Sequence, residues 1–379
     1  MLIKPRIKLS HNIIQVFSNE ICIGEIPKHA FRLQDITPEY LYLIDLLDGT
    51  RTIPRIIKKY NEKYPEVKEE EILNAINSLY EHHLIDDAGT ESEILSNVEL
   101  ELYDRQILLY SMLDKQHKPG FFYQEMLKRK VVGVFGMGGW GTWISVNLAL
   151  NGVGKLRIVD GDTIEVSNLN RQILYSHPDI GSPKVDAAKK SLNRVNPNVE
   201  VDPIFQFVLK DEGQIEELMS GLDMLFLCWA NLAYFLPNTT EEIILKHAFN
   251  MKIPVLEVAA DPFNIAVGPI FINNGLTPCF NCIKEQFKET VFGDDPEFLA
   301  IHAARFERKF RNGNRTVNAW QTSPSLSIMS GMASDQAIKF LSGIEQPFLQ
   351  DKRFTLSLSN FESKTYTYTR RPDCEWCGK

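Results

Sequence analysis

The chain has 379 residues, 44% of them apolar and 24% charged, with a formal net charge of -8. That length exceeds one ordinary domain and suits two or three, each with its own soluble core. The acidic balance argues against a nucleic-acid partner. The longest apolar run, residues 222–236, is broken by Asp223 and Asn231 and is too short to span a bilayer. Residues 1–8 lack the apolar core of a signal peptide, so the chain is expected to be cytoplasmic.

Residues 1–88 have the pattern of a small separate domain. Ile7, Leu9, Ile13, Ile14 and Val16 suggest a first strand, residues 21–26 a second and residues 31–33 a short third. Three helices are predicted next. Residues 38–47 form the first, which stops at the turn signal Asp48-Gly49-Thr50. Residues 53–60 form the second, with Thr52 as N-cap and Pro54 in the first turn. Residues 68–83 form the third, with Ile72, Ala75, Ile76, Leu79 and Tyr80 on one face. Residues 84–86 close the unit, and the polar, acidic stretch 89–100 is expected to be a linker. Strands followed by three helices suggest a small α+β winged-helix fold. On these residues alone a dimerisation or packing role stays open.

The most informative stretch begins at the apolar strand Val131–Phe135. It runs into Gly136-Met137-Gly138-Gly139-Trp140-Gly141, which fits G-x-G-x-x-G. Such glycines permit a tight turn, close approach of backbone to phosphate, and close helix–strand packing. The helix they open aims its free N–H groups and positive dipole end at an anion. Asp160 ends the next strand, where a carboxylate can accept hydrogen bonds from ribose hydroxyls. These features alone fit a nicotinamide or flavin enzyme equally well. The residues that follow do not. Asp162, Asn168, Arg171, Gln172 and Lys184 would place a carboxylate, amides, a guanidinium and an ammonium near a triphosphate. They have no role in hydride transfer. Upstream, Tyr103-Asp104-Arg105-Gln106 adds another arginine before the first strand.

In this combination, over residues 101–379, the sequence resembles the E1-like (ThiF-type) adenylating family. The resemblance implies a Rossmann-like α/β domain with a mostly parallel sheet. It implies adenylation: a carboxylate attacks the α-phosphorus of ATP and pyrophosphate leaves. The backbone at Gly136, Gly138, Gly139 and Gly141 would cradle phosphate, and Asp160 would bind ribose. Asn168, Arg171, Gln172 and Lys184 would hold the phosphate chain, with Arg171 and Lys184 neutralising charge as it builds. Arg105 matches an arginine that reaches across a two-fold dimer, so a homodimer is implied. Mg²⁺ is implied as well, yet Ala230 stands where the family presents an aspartate to it. Another acid, Asp162 or Asp261, is then needed, or the chain is an inactive form, or the match to the family slips by one residue here, the reading that Asn231 in its expected place argues against.

Six cysteines are present. Cys279-x-x-Cys282 and Cys374-x-x-Cys377 have the spacing of two knuckles of a tetrahedral Zn²⁺ site. A redox pair or two unrelated pairs are the alternatives. Four thiolates leave no open position, so the metal's role would be structural, and the family resemblance implies the same site. Cys228 falls in an apolar strand and is expected to be inert. No cysteine lies between residues 283 and 373, the crossover segment of the family, which argues against a thioester relay. In that segment Arg305, Arg308, Lys309, Arg311 and Arg315 form a basic run, a solvated face or a surface for an acidic peptide.

Residues 46–53 and 83–86 resemble the PqqD-like domains that recognise the leader of a ribosomally made peptide. The resemblance implies that the leader adds as a strand beside the last helix. Together these features imply an enzyme that binds a precursor peptide through residues 1–88 and activates a carboxylate on it. The expected chemistry is pantocin A-type, with a glutamyl side chain activated and then captured within the peptide. Alternatives are microcin-C-type nucleotidyl transfer, activation of a ubiquitin-like sulfur carrier, and a peptide-binding protein without catalysis.

Overall fold

The computed structural model describes residues 2–229, 233–234, 237–287, 297, 300–301, 304 and 321–378. Its contacts divide the chain into two compact units. One comprises residues 1–126 with 342–345, the other residues 127–341 with 346–379.

The first unit opens with β1 (Pro5–Ile7), β2 (Ile13–Phe17), β3 (Glu20–Ile23) and β4 (Phe31–Leu33). Helices α1 (Pro38–Leu46), α2 (Ile53–Asn61) and α3 (Glu69–Glu81) follow, then β5 (Ile85–Asp87) and helices α4 (Asn97–Leu102), α5 (Asp104–Leu113) and α6 (Gly120–Lys128). The single first strand expected over residues 7–16 is two strands. A turn, in which the His11 N–H donates to the Lys8 carbonyl, breaks it. β1 then pairs antiparallel with β5, while β2, β3 and β4 form a three-stranded antiparallel sheet in that order.

Local chemistry sets the helix ends. The Thr37 side chain caps α1 by accepting from the Tyr40 N–H, and Pro38 occupies its first turn. Glu69, Glu70 and Glu71 put negative charge at the positive end of α3. Within the stretch expected as a linker, Ser96 and Glu99 form a capping box that starts α4. The core gathers Ile21 and Ile23 of β3 with Leu43, Ile56, Ile72, Ile76 and Leu79 of the three helices.

A buried polar hub ties this core to helices α5 and α6. The Lys8 ammonium lies 3.2 Å from Asp114 and donates to the Ser111 carbonyl at 2.8 Å, and both charged side chains are nearly inaccessible. Asp114 also accepts from the Tyr123 hydroxyl at 2.7 Å and from the backbone N–H groups of Gln116 and Lys118. His83 and His117 stack beside it with ring centroids 4.0 Å apart.

The second unit runs β6 (Val131–Phe135), α7 (Gly139–Leu150), β7 (Lys155–Val159), α8 (Lys184–Val195), β8 (Glu200–Ile204), α9 (Glu212–Met219), β9 (Met224–Leu227), α10 (Thr240–Asn250), β10 (Val255–Ala260) and β11 (Asn264–Phe271). It continues with α11 (Phe280–Phe287), a long helix α12 (Ser323–Ser342), β12 (Lys352–Ser357) and β13 (Ser363–Thr367). Eight strands form one sheet in the order β13-β12-β11-β10-β9-β6-β7-β8. β10, β9, β6, β7 and β8 run parallel to one another, whereas β11, β12 and β13 extend the sheet antiparallel beyond β10. β6 and β9 are almost entirely buried, which is why they appear as unbroken apolar runs. From β6 the chain moves outward through β7 to β8, then returns to β9 on the other side of β6. The order therefore reverses between β6 and β9, and ligands of open α/β sheets bind beyond the carboxyl ends at such a crevice.

The Lys8–Asp114 hub yields a stability prediction. Burial pushes the Asp114 pKa up, but the Tyr123 hydroxyl, the two N–H donors and Lys8 outweigh it, so it lies below the ordinary value. A depressed folded-state value means stability that is full above the unfolded pKa, about 3.9 for aspartate, and lost as pH falls through the lower folded value. Asp114→Asn leaves Lys8 buried without its counter-charge and is expected to cost on the order of 3 kcal/mol at neutral pH. Denaturant unfolding at neutral pH and in the acid limb checks both points. The variant should be less stable and lose part of the acid dependence.

Candidate functional site

The site is built at the carboxyl end of β6. Gly136 has φ +94°, a left-handed conformation that favours glycine, and its N–H donates to the Val159 carbonyl at 2.7 Å. A Cβ at Gly141 would fall 1.9 Å from the Gly136 carbonyl oxygen, so α7 can pack this closely on the turn only with glycine there. Gly138 and Gly139 start α7, whose first N–H groups point out of the turn without intrahelical partners.

Asp160 follows β7 and locks this arrangement. One carboxylate oxygen accepts from the Met137 N–H at 2.6 Å, the other from the Asp162 N–H at 2.8 Å. Lys184, the first residue of α8, reaches back so that its ammonium lies 2.8 Å from Asp162 and 3.9 Å from Asp160. Its side chain is buried while Asp162 is half exposed. One cation and two acids thus sit beside the glycine turn.

The polar loop between β7 and α8 completes the group. Asn168 is buried and accepts from the Glu165 N–H at 3.1 Å, pinning a short 3₁₀ turn. Arg171 donates to the Ser167 carbonyl at 2.6 Å and to the Asn170 side chain at 3.1 Å, and its own carbonyl accepts from the Trp143 indole of α7 at 3.1 Å. Gln172 is 4% exposed, and its side-chain oxygen has no partner among the described residues. Its Nε2 lies 3.9 Å from where a Gly138 Cβ would be. An amide held against the turn with an unused oxygen suits a polar ligand there.

Three further residues went unnoticed in the sequence. The Tyr175 hydroxyl donates to the Met137 carbonyl at 2.7 Å. Burial, then Asp160 and Asp162, push its pKa far up, so it remains a neutral donor. Trp143 anchors the arginine loop, and Phe207 packs on Gly161, where a Cβ would lie 2.6 Å from its ring, while staying 60% exposed. No local motif marks them, because each acts through a contact distant in sequence.

Arg105 lies on α5 in the first unit, with a side chain 91% exposed and 3.5 Å from Asp104. Ala230 and the basic run from Arg305 to Arg315 lie outside the described residues. Asp261 uses its carboxylate on the N–H groups of Phe263 and Asn264 at the β10–β11 turn. Of the two acids considered for a cation, Asp162 is therefore the less committed to backbone.

The four cysteines converge from Cys279 and Cys282 at the start of α11 and from Cys374 and Cys377 in the tail. Their sulfurs are buried and lie within 4.8 Å of one another, with neighbouring separations of 3.4, 3.5 and 3.9 Å. A zinc–sulfur distance of about 2.3 Å in a tetrahedron gives edges of about 3.8 Å, so the residues fit that ion. The Cys279 thiol, with further hydrogen bonds from the Arg371 N–H and Cys377, holds the Cys282 thiol below its ordinary value against the opposing effect of burial. Cys228 follows β9, and burial pushes its thiol up, as suits an unreactive core group. No helix among the described residues is long and apolar enough to cross a membrane.

Comparison with known proteins places this geometry. The ThiF family model matches residues 103–376, and the model for the PaaA-like N-terminal domain matches residues 10–69. The molybdopterin-synthase adenylyltransferase of Escherichia coli is 28% identical over 285 residues, covering 75% of this chain and 99% of that protein. The vegetative HesA protein of Trichormus variabilis is 30% identical over 286 residues, covering 75% and 91%. Over nearly full length the fold matches the crystal structure of PaaA, with a TM-score of 0.77, 36% identity and coverage of 96% and 99%. It also shares the fold of Escherichia coli MccB solved with ATP, with a TM-score of 0.71, 19% identity and coverage of 99% of both chains. The chain belongs to the ThiF family and is an ATP-dependent adenylating enzyme.

Proposed function

We propose that this enzyme activates a carboxylate of a ribosomally made precursor peptide. Residues 1–88 act as its leader-recognition domain and residues 101–379 as its adenylation domain. The observation that carries the reading is the arrangement of Lys184, Asp162 and Asp160 around the glycine turn. ATP would lie with its phosphates over the free N–H groups of Gly138 and Gly139 and its ribose toward Asp160. The exposed Phe207 ring offers an apolar ledge on that side. Lys184 and Arg171 supply positive charge where pyrophosphate departs, and Asn168 and Gln172 orient the chain. A single carboxylate, Asp162, suits Mg²⁺, which commonly binds one or two carboxylates together with substrate phosphates.

The reaction is electrostatic and positional. A carboxylate oxygen of the peptide forms a bond to the α-phosphorus as the bond to the pyrophosphate oxygen breaks. A nucleophile of the same peptide then attacks the acyl carbon, AMP leaves with the bonding electrons, and the proton of the nucleophile is released. The net change in the peptide is loss of water, the pantocin A-type outcome with a glutamyl side chain as donor. Gain of a nucleotidyl group would indicate the microcin-C-type route instead.

For leader binding, the edge strand β4 is the natural seat. Its Phe31 meets His82, just after α3, edge-on at 4.8 Å, so the strand edge and the helix end form one border. An extended leader adding there gains backbone hydrogen bonds, with alternate side chains facing the helix. A homodimer, with Arg105 serving the partner's nucleotide, completes the proposal. The four buried cysteines hold structural Zn²⁺, which ties the C-terminal tail to α11.

Two measurements check this reading. ATP–pyrophosphate exchange should depend on a leader-bearing peptide and not on a sulfur-carrier protein. Lys184→Met should cut its kcat by about 10²-fold or more, the scale seen when one preorganised charge-stabilising group is removed. Metal analysis should find one zinc per chain. Cys377→Ser should lose it and melt at lower temperature, because three ligands hold the ion less well and a buried cluster is broken. A metal-free protein of unchanged melting temperature would reject the zinc site.

A further inference from the structure

Trp229, two residues past the end of β9, makes contacts that the phosphate-binding group does not explain. The Cys228 N–H donates to the Phe135 carbonyl at 2.7 Å, so the ends of β9 and β6 are still clamped together there. The next residue, Trp229, places its indole against the first glycine of the turn, with ring atom Cε3 3.2 Å from where a Gly136 Cβ would be. The indole N–H donates to Glu241 at 2.7 Å. Glu241 lies in the first turn of α10 and is 6% exposed. One side of the ring packs on the core of the unit, and the residue as a whole is half-buried. A carboxylate taken out of water costs free energy unless it is bonded, so the Trp229–Glu241 contact fixes the ring firmly.

The strand order gives the flank of the turn on which the ring stands. The strand order is β9-β6-β7. Asp160, Asp162 and Lys184 stand on the β7 side of the glycine turn, and Trp229 stands on the β9 side. In the pose proposed above, ribose and the cation that would receive pyrophosphate share the β7 flank, which would leave the β9 flank of the α-phosphate for the attacking carboxylate. An indole supplies an apolar wall there, which excludes water from a mixed anhydride that hydrolysis would destroy.

Resting on the adenylation reading above, we propose that Trp229 is the substrate-contacting wall on the acyl side of the site, held in place by Glu241 as a positioning residue. Its role is to confine the activated carboxylate and shield the acyl adenylate until the peptide nucleophile captures it. The amount of AMP released per peptide modified reads this directly, since leakage to water releases AMP without a modified product.

The test uses full-length protein, ATP and a synthetic precursor with a glutamate-containing core behind its leader. Trp229→Ala is expected to keep ATP affinity within about twofold while raising AMP released per modified peptide at least about fivefold. Trp229→Phe, which retains an aromatic wall, should restore most of the coupling and controls for misfolding. Glu241→Gln, whose amide oxygen still accepts from the indole, should stay near wild type, whereas Glu241→Leu should uncouple like Trp229→Ala. Loss of ATP affinity in Trp229→Phe, or unchanged coupling in a folded Trp229→Ala, overturns the assignment of Trp229 alone. Absence of ATP–pyrophosphate exchange in the wild-type protein overturns the adenylation reading and this inference with it.

Discussion

The bidentate grip of Asp160 on the Met137 and Asp162 N–H groups is the contact on which the site depends. It joins the turn after β6 to the loop after β7, two segments that the parallel sheet brings side by side but does not itself connect. With Asp160 in place, Gly136 can hold its left-handed conformation, α7 can begin at Gly139, and Lys184 finds two acids within 4 Å. The buried Tyr175 hydroxyl on the Met137 carbonyl closes the same turn from the other direction. The turn is thus pinned through both its N–H and its carbonyl, which keeps its remaining N–H groups available for an anion.

Each compact unit has its own fastening of this kind. In the first, a lysine–aspartate pair with backbone and phenol donors secures α5 and α6 to the small sheet and its helices. Such a pair contributes mainly by being complete, since either partner alone would be a buried, uncompensated charge. In the second, the four-cysteine cluster gathers the C-terminal tail and α11, packed by Phe249 and Trp376.

Most of the candidate site was legible because its chemistry is local. The glycine spacing, the acid at the end of β7 and the order of Asn168, Arg171, Gln172 and Lys184 lie on one stretch of about fifty residues following β6. The three N-terminal helices were likewise visible to within two residues at each end, since their apolar periodicity and caps are local signals. The first strand was misjudged for a non-local reason. Alternating apolar residues run through positions 7–16, yet β1 answers to β5 nearly eighty residues away and β2 answers to β3. Pattern alone could not announce that one alternation serves two sheets.

The amino-acid order by itself determined the glycine turn, the cysteine spacing and the helical N-terminal core, because each follows from short-range geometry of the backbone and from side-chain type. Tertiary structure alone decided the rest. It set Tyr175, Trp143 and Trp229 around the turn, partnered Trp229 with Glu241, and buried Lys8 against Asp114 more than a hundred residues away. These contacts depend on strand order and helix packing, and residues that meet only when distant segments close on one another leave no trace in local sequence.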